Sequence, residues 1–296
     1  MPRLPEYLKR PIIDTEKTRT VRKILKSKCL NTVCDGARCP NKGECYAKNT
    51  ATFLIMGNVC TRNCRYCNIS AARPEPLDLD EPKHIAEAVK ELGLKFAVIT
   101  SVTRDDLPDG GAEHFKNCIE EIRKISDAKI EILTPDFRIP RSLSLQERVG
   151  VRCQSPLNMI IEAHPDVFNH NIETVRRVFK TARPQGDYDY SLKVLSYIKE
   201  NSDIITKSGF MIGLGEELDE IEETLVDLKN AGVDIVTIGQ YIQPSKSHLE
   251  VVKYYTLEEY EDLKKLAKKV GIKNYQIGPL VRSSYQAMNS YQESLK

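Results

Sequence analysis

The sequence predicts an α/β protein: a partial TIM-type (β/α)6 barrel with an N-terminal cysteine-rich extension and a C-terminal extension. Three observations lead there. Apolar runs of strand length alternate with amphipathic stretches of helical period about six times, the pattern of a parallel sheet joined by crossover helices. The chain of 296 residues, 41% of them hydrophobic, is long enough to bury one large core, and α/β barrels of this size run as single domains. Six units instead of eight leave the barrel incomplete.

In chain order, a cysteine-dense arm over residues 1–50 is expected to be irregular. Strands are expected over Thr52 to Met56, Lys95 to Thr100, Ile130 to Thr134, Leu157 to Ile161, Ile204 to Ile212 and Asp234 to Gly239, each a short apolar run. Helical periodicity falls between or after them at His84 to Leu92, Ala112 to Ile125, Leu192 to Glu200, Glu217 to Asn230 and Leu257 to Val270. These elements make a core over residues 51–270, leaving residues 271–296 as the C-terminal extension. Functional residues of such a barrel lie at the C-terminal ends of its strands.

Bulk composition narrows the function. With 44 basic against 42 acidic residues the net charge is +2, so no single-sign field marks nucleic acid as the main partner. The opening MPRLPEYLKR lacks a signal-peptide core, and no segment approaches the roughly 18 uninterrupted apolar residues of a membrane span. A cytoplasmic protein is expected. Reducing conditions there make nine cysteines better read as metal ligands or reactive thiols than as disulfides.

Directly after the first strand, CTRNCRYC places Cys60, Cys64 and Cys67 in a CxxxCxxC pattern. Three thiolates hold three corners of a four-iron cluster and leave one iron open to a cofactor or substrate, whereas electron-transfer clusters usually fill all four corners. Zinc usually wants four ligands in paired spacings, and no second pair follows this loop. The spacing, with Tyr66 before the last cysteine, resembles the signature loop of the radical S-adenosylmethionine (SAM) superfamily. Upstream, Cys34, Cys39 and Cys45 form a second triplet, CxxxxCxxxxxC, with Gly36, Pro40 and Gly43 permitting tight turns. It reads as a second cluster site on a loop, since three cytosolic thiols within twelve residues would be an oxidation liability without a metal.

Both triplets, in this order and spacing, resemble those of the lipoyl synthase family. Further similar segments run along nearly the whole chain: TSVTRDDLPDGGAEHF, LTPDF, FNHNIETV, KSGFMIGLGEE, DIVTIGQYIQPSKSHLEVVKYY and GPLVRSSY. The resemblance implies two 4Fe-4S clusters and SAM as cofactors. It implies sulfur insertion at C6 and C8 of a protein-bound octanoyl-lysine, with the auxiliary cluster as the sulfur source. The fourth ligand of that cluster would come from the RSSY motif, as Ser284, with Ser283 as the alternative. One departure is Tyr46, where the family commonly has Trp.

The same resemblance suggests SAM contacts from Thr100, Ser101, Gly110, Gly111, Asn169, Asn171, Arg176, Gly213 and Glu216. Gly209 and Met211 belong to the same GxIxGxxE-like segment, and Arg104 and Asp105 to the TSVxRDD-like one. His164 and His170 read as structural, and Cys29, Cys118 and Cys153 as ordinary thiols. The expected partners are octanoylated lipoyl carrier domains or glycine-cleavage H protein, an electron donor of ferredoxin or flavodoxin type, and an iron-sulfur cluster carrier. Two rivals differ in sequence terms. A biotin-synthase-like enzyme would keep Cys60, Cys64 and Cys67 without the upstream triplet and RSSY, and a non-catalytic iron-sulfur carrier would need no GxIxGxxE-like segment.

Overall fold

Residues 4–11, 13–48, 50–138 and 155–295 are described by the structure, a computed structural model. The strands are β1 (Asn31–Thr32), β2 (Thr52–Ile55), β3 (Val59–Cys60), β4 (Ser70–Ala71), β5 (Phe96–Ser101), β6 (Lys129–Leu133), β7 (Val167–Asn169), β8 (Ile205–Ile212), β9 (Ile235–Gln240) and β10 (Asn274–Gly278). Seven of them, β2-β5-β6-β7-β8-β9-β10 in that order, form a parallel sheet, with β1 antiparallel on β2 at one edge. Strands β3 and β4 pair separately, beyond the end of β2. The partial barrel expected from the sequence is present.

The helices are α1 (Glu16–Ser27), α2 (Val33–Gly36), α3 (Lys42–Ala47), α4 (Glu81–Glu91), α5 (Ala112–Ile125), α6 (Pro156–Ala163), α7 (Arg176–Ala182), α8 (Tyr188–Asn201), α9 (Leu218–Asn230), α10 (Leu257–Val270) and α11 (Ala287–Ser294). Their ends follow local chemistry. Thr256 and Glu259 form a reciprocal capping box at the start of α10, and Gly271, at φ 92°, stops it. In α5 the buried Phe115, Cys118, Ile119 and Ile122 recur at helical spacing, so one stripe faces the sheet. None of the described helices is long and apolar enough to cross a membrane.

Three expectations are corrected. Leu157 to Ile161 is not a strand but the middle of α6, because Pro156 sits at its first turn and only Ile160 and Ala163 are buried. A short apolar run fits either period, and the strand at this place is the three-residue β7 further on. The N-terminal arm is not irregular, since Thr15 and Thr18 form a capping box that starts α1, and Cys34 and Cys45 lie on the short helices α2 and α3. The sheet also carries a seventh parallel strand, β10, paired to β9 from Asn274 to Gly278. Cys153 lies outside the described residues.

Inside the sheet's curve, Ala287 and Tyr291 of α11 pack on Phe96, Val98, Val167 and Ile205. Side chains of a strand alternate in direction, so Thr100, Asn169 and Lys207 continue the same face toward the C-terminal strand ends. The apolar plug gives way there to a buried polar layer. Lys207 donates to both carboxylate oxygens of Glu131 at 3.0 Å, and Asn169 Nδ2 donates to Glu131 Oε1 at 2.9 Å.

Candidate active site

The Cys60–Cys67 loop leaves the C-terminal end of β2 and is tied down from several sides. Cys60 Sγ accepts the backbone N–H groups of Arg62 at 3.4 Å and Thr103 at 3.3 Å. The backbone N–H of Arg65 reaches Ala182 O, and Leu249 N–H reaches Arg65 O. His248 Nε2 meets the Cys67 carbonyl at 2.9 Å. Behind the loop, the Arg62 guanidinium pairs with Asp105 and Asp136, and Arg183 with Asp136. Burial opposes the Asp136 charge, but the Arg62 hydrogen bond and both guanidinium groups win and hold its pKa at about 2.

Burial pushes the Cys67 thiol up to about 12, with Cys64 and Cys60 adding to the shift, and burial raises Cys64 as well. The three sulfurs are thus close enough to oppose one another's ionisation. The upstream triplet repeats this pattern. Burial, then Cys34 and Cys39, drive Cys45 up to about 12, and burial drives Cys34 to about 11. Three crowded thiolates need a compensating positive centre, so both donor sets suit a polynuclear iron site. Among the described residues, no three His, Cys, Asp or Glu side chains meet as ligands of a single ion.

The C-terminal segment seats on the upstream triplet. Asn41 Nδ2, buried between Cys39 and Cys45, donates to Leu280 O at 2.7 Å, and the Tyr285 hydroxyl reaches the Glu44 carboxylate. Arg282 faces Cys39. Ser283 Oγ donates to Asn171 Oδ1 at 3.0 Å, while Ser284 makes no side-chain hydrogen bond among the described residues. Tyr46 is fully buried beside these cysteines, its hydroxyl bonded to Thr32 and Asp35.

The remaining predicted residues divide into two groups. Several meet at the C-terminal strand ends. Gly110 and Gly111 have positive φ, and a Cβ on Gly111 would stand 2.3 Å from Met56 Sδ, so the turn is open to glycine alone. Ser101 Oγ and Asn169 Oδ1 are buried without partners among the described residues, whereas Thr100 Oγ1 donates to Leu133 O. At Gly213, φ 104°, a Cβ would strike Gln240 Nε2 at 2.1 Å. Glu216 accepts the N–H groups of Gly213 and Leu214 and the Tyr255 hydroxyl, so it shapes the Gly213 turn. Arg176 stands apart. It lies on the outer helical layer, paired with Asp189 and Asp227 and stacked 4.2 Å from the Tyr188 ring centroid, and no contact ties it to either triplet.

Two further residues of the FNHNIETV segment lie here: Glu173, which only the structure brings out, and His170, which the sequence alone marks as structural. Glu173, in the left-handed region at φ 72°, bridges to β8 by donating N–H to Gly209 O and accepting Met211 N–H. That turn aims its carboxyl at Tyr66 and Asn171, and burial raises its pKa. It also adds to the upward push on Cys64 and Cys67. His170 has Nδ1 3.0 Å from Thr134 O, which makes Nδ1 the protonated nitrogen and Nε2 a buried acceptor without a partner among the described residues. Burial and then Arg183 lower its pKa to about 4. Only its position just past a strand end marked Glu173 in the sequence.

Comparison with known proteins places the chain in a family. The radical SAM superfamily pattern matches residues 54–228. A lipoyl synthase from Caldanaerobacter subterraneus subsp. tengcongensis is 47% identical over 286 residues, 96% of each chain. Another, from Caldicellulosiruptor bescii, is 49% identical over 97% of this chain and 94% of its own. Among solved structures, Streptococcus suis SuiB bound to S-adenosylmethionine superposes with a TM-score of 0.55 at 14% identity, over 80% of this chain and 54% of that one. Methylornithine synthase gives 0.54 at 12% identity, covering 95% and 80%. At such identities the two structures attest the fold alone.

Proposed function

The chain belongs to the lipoyl synthase family of the radical SAM superfamily, and from that premise we propose how its residues share the work. The activity is radical SAM-dependent sulfur insertion into a protein-bound octanoyl chain. At C6 and C8 such a chain has no acidic C–H bond, so acid-base groups cannot activate those positions and the reactivity must come from cofactors. When bound, a four-iron cluster with SAM supplies a 5′-deoxyadenosyl radical, and an auxiliary cluster supplies sulfide for C6 and C8.

Cys60, Cys64 and Cys67 would hold the first cluster, leaving one iron to the amino and carboxylate groups of SAM. Gly110 and Gly111 give the backbone a close approach to that end of the cofactor. Asn171 and Glu173 supply hydrogen-bond partners for its polar edge, and Ser101 and Asn169 offer buried atoms with unspent capacity. Thr100 and Glu216 act through the shape of their loops. Arg176 is left out of the site by its three-sided engagement on the helical layer. Cys34, Cys39 and Cys45 would hold the auxiliary cluster with Ser284, because Ser283 is already engaged by Asn171. The extensions on either side of the core of residues 51–270 would thus share one site, through Asn41, Leu280 and Tyr285. A serine oxygen is a harder donor than a thiolate, which suits a corner that must be released.

The observation that carries this reading is the seating of residues 280–285 on the upstream triplet, with Ser283 reaching across to Asn171. The partners are octanoylated lipoyl carrier domains or glycine-cleavage H protein, a ferredoxin- or flavodoxin-type donor, and a cluster carrier. The test is anaerobic reconstitution with iron and sulfide, then addition of SAM, reductant and an octanoyl-lysine peptide. Production of 5′-deoxyadenosine with a peptide gaining two sulfurs is expected. Cofactor cleavage without sulfur gain would overturn the sulfur-inserting role, and no cleavage would point to an iron-sulfur carrier.

A further inference from the structure

The buried arginines near the two cysteine sites have carboxylate partners, whereas the exposed Arg38 and Arg65 and the half-buried Arg282 have none among the described residues. Arg62 is bound by Asp105 and Asp136, Arg104 by Asp106, and Arg183 by Asp136. Arg282 has no ion-pair partner among the described residues. Its hydrogen bond goes to the neighbouring Val281 carbonyl through Nη1, and the groups it faces are Cys39 and Tyr260.

The backbone fixes this placement. Gly239 of β9 lets the segment come close: a Cβ there would lie 2.1 Å from Val281 O and 3.2 Å from Arg282 Nη1. Leu280 is held by Asn41, between two cysteines of the triplet, and Ser283 by Asn171. The backbone on either side of Arg282 is therefore held, and its half-buried side chain extends from that held segment. A guanidinium partly withdrawn from water without a counter-charge gives up some of its hydration, whereas next to a group that becomes anionic it is favourable.

We propose that Arg282 is the counter-ion of the auxiliary cluster, a positioning residue whose charge offsets the thiolates of Cys34, Cys39 and Cys45 and sets how readily that cluster is reduced. The inference rests on the assignment of a cluster to this triplet. Adding an electron to an anionic cluster raises its negative charge, so a fixed positive charge nearby favours the reduced form. Loss of that charge makes reduction harder, and an ammonium in its place restores most of the effect without the guanidinium's planar fork.

The experiment uses the full chain with Cys60, Cys64 and Cys67 replaced by Ala, so that any cluster signal comes from the upstream site. Iron and sulfide content, unfolding temperature and an EPR-monitored redox titration are compared for this background, Arg282→Gln and Arg282→Lys. The expected result is four iron per chain in all three, with the Gln variant showing at least a tenfold lower reduced-to-oxidised ratio at a fixed ambient potential. For a one-electron couple that is a shift of about 59 mV, and Lys should recover at least half of it. A Gln variant that loads fully but keeps the parental potential overturns the proposal. If Gln fails to load while Lys loads, the requirement for charge is upheld, and if neither loads, Arg282 serves shape alone and the idea is lost. Absence of iron in the parental background would instead remove the cluster assignment itself.

Discussion

Replacing Lys207 by Met removes one half of an ion pair sealed inside the barrel. Both partners are out of solvent, with side-chain exposures of 0% for Lys207 and 1% for Glu131, so water cannot take over the lost contact. At a 3.0 Å separation the gross attraction is about 5 kcal/mol for an effective dielectric near 20. What the variant loses is set by the stranded carboxylate, which keeps only the Asn169 amide. Breaking a buried pair this way costs about 3–5 kcal/mol, or roughly 6–10 °C in unfolding temperature for a domain of this size. The double variant Lys207→Met/Glu131→Gln keeps an acceptor for Asn169 and buries no charge, so it should recover at least half of the loss. Urea unfolding of the metal-free protein, followed by circular dichroism, measures both. A single variant within about 1 kcal/mol of the parent, or additive losses in the double, would refute the claim that this pair carries a buried charge.

Two other outcomes follow from the site. Ser284→Cys should retain both clusters yet lose sulfur insertion, while Ser283→Ala should retain both and weaken SAM binding about two- to tenfold by freeing Asn171; iron analysis beside SAM titration checks this, and loss of auxiliary iron from Ser283→Ala alone would reverse the two roles. His170, faced by Arg183, Asp136 and Arg62, has a folded pKa lowered by burial from 6.5 to about 4. The unfolded chain binds its proton first, so this stability is complete above about pH 6.5 and lost as pH falls toward 4, up to about 3 kcal/mol. His170→Asn should flatten the stability profile over that window, and an unchanged slope in urea unfolding from pH 7 to 4 would count against burial of a neutral imidazole.

Legibility in the sequence followed physical scale. The long amphipathic stretches behind α5, α9 and α10 and the apolar runs behind β5, β8 and β9 declare their periods within a single element, so local pattern sufficed. Residues 157–161 did not, because five apolar-rich positions satisfy both periods and only the Ser155–Pro156 start favours a helix. Strand β10 was missed for a related reason: in Asn274–Gly278 only Ile277 and Gly278 are buried, so the segment lacks the apolar run that marks the inner strands. The polar layer was written in the chain as Glu131 and Lys207 within otherwise apolar strands. A charged residue there says that a partner exists without saying which.

The candidate site shows the same division. Cysteine spacing was readable because the ligands of each triplet lie within a few residues of one another, although distant residues such as Thr103 and His248 hold the Cys60–Cys67 loop in place. Glu173, by contrast, gains its place from a left-handed turn clamped to the neighbouring strand β8 through Gly209 and Met211, a contact between segments some forty residues apart. The two RSSY serines were indistinguishable in sequence because adjacent side chains differ only in direction. Direction is fixed here from outside: Asn171, 112 residues away, takes Ser283, and Asn41, 239 residues from its acceptor, holds Leu280. The segment is therefore gripped on both sides of Arg282. A single strap seats the upstream cysteines and, through Asn171, holds a side chain at the other site. Ser283 thus links the strap over the upstream triplet to Asn171 of the segment after β7, which is why neither serine's direction could be read from its own neighbourhood.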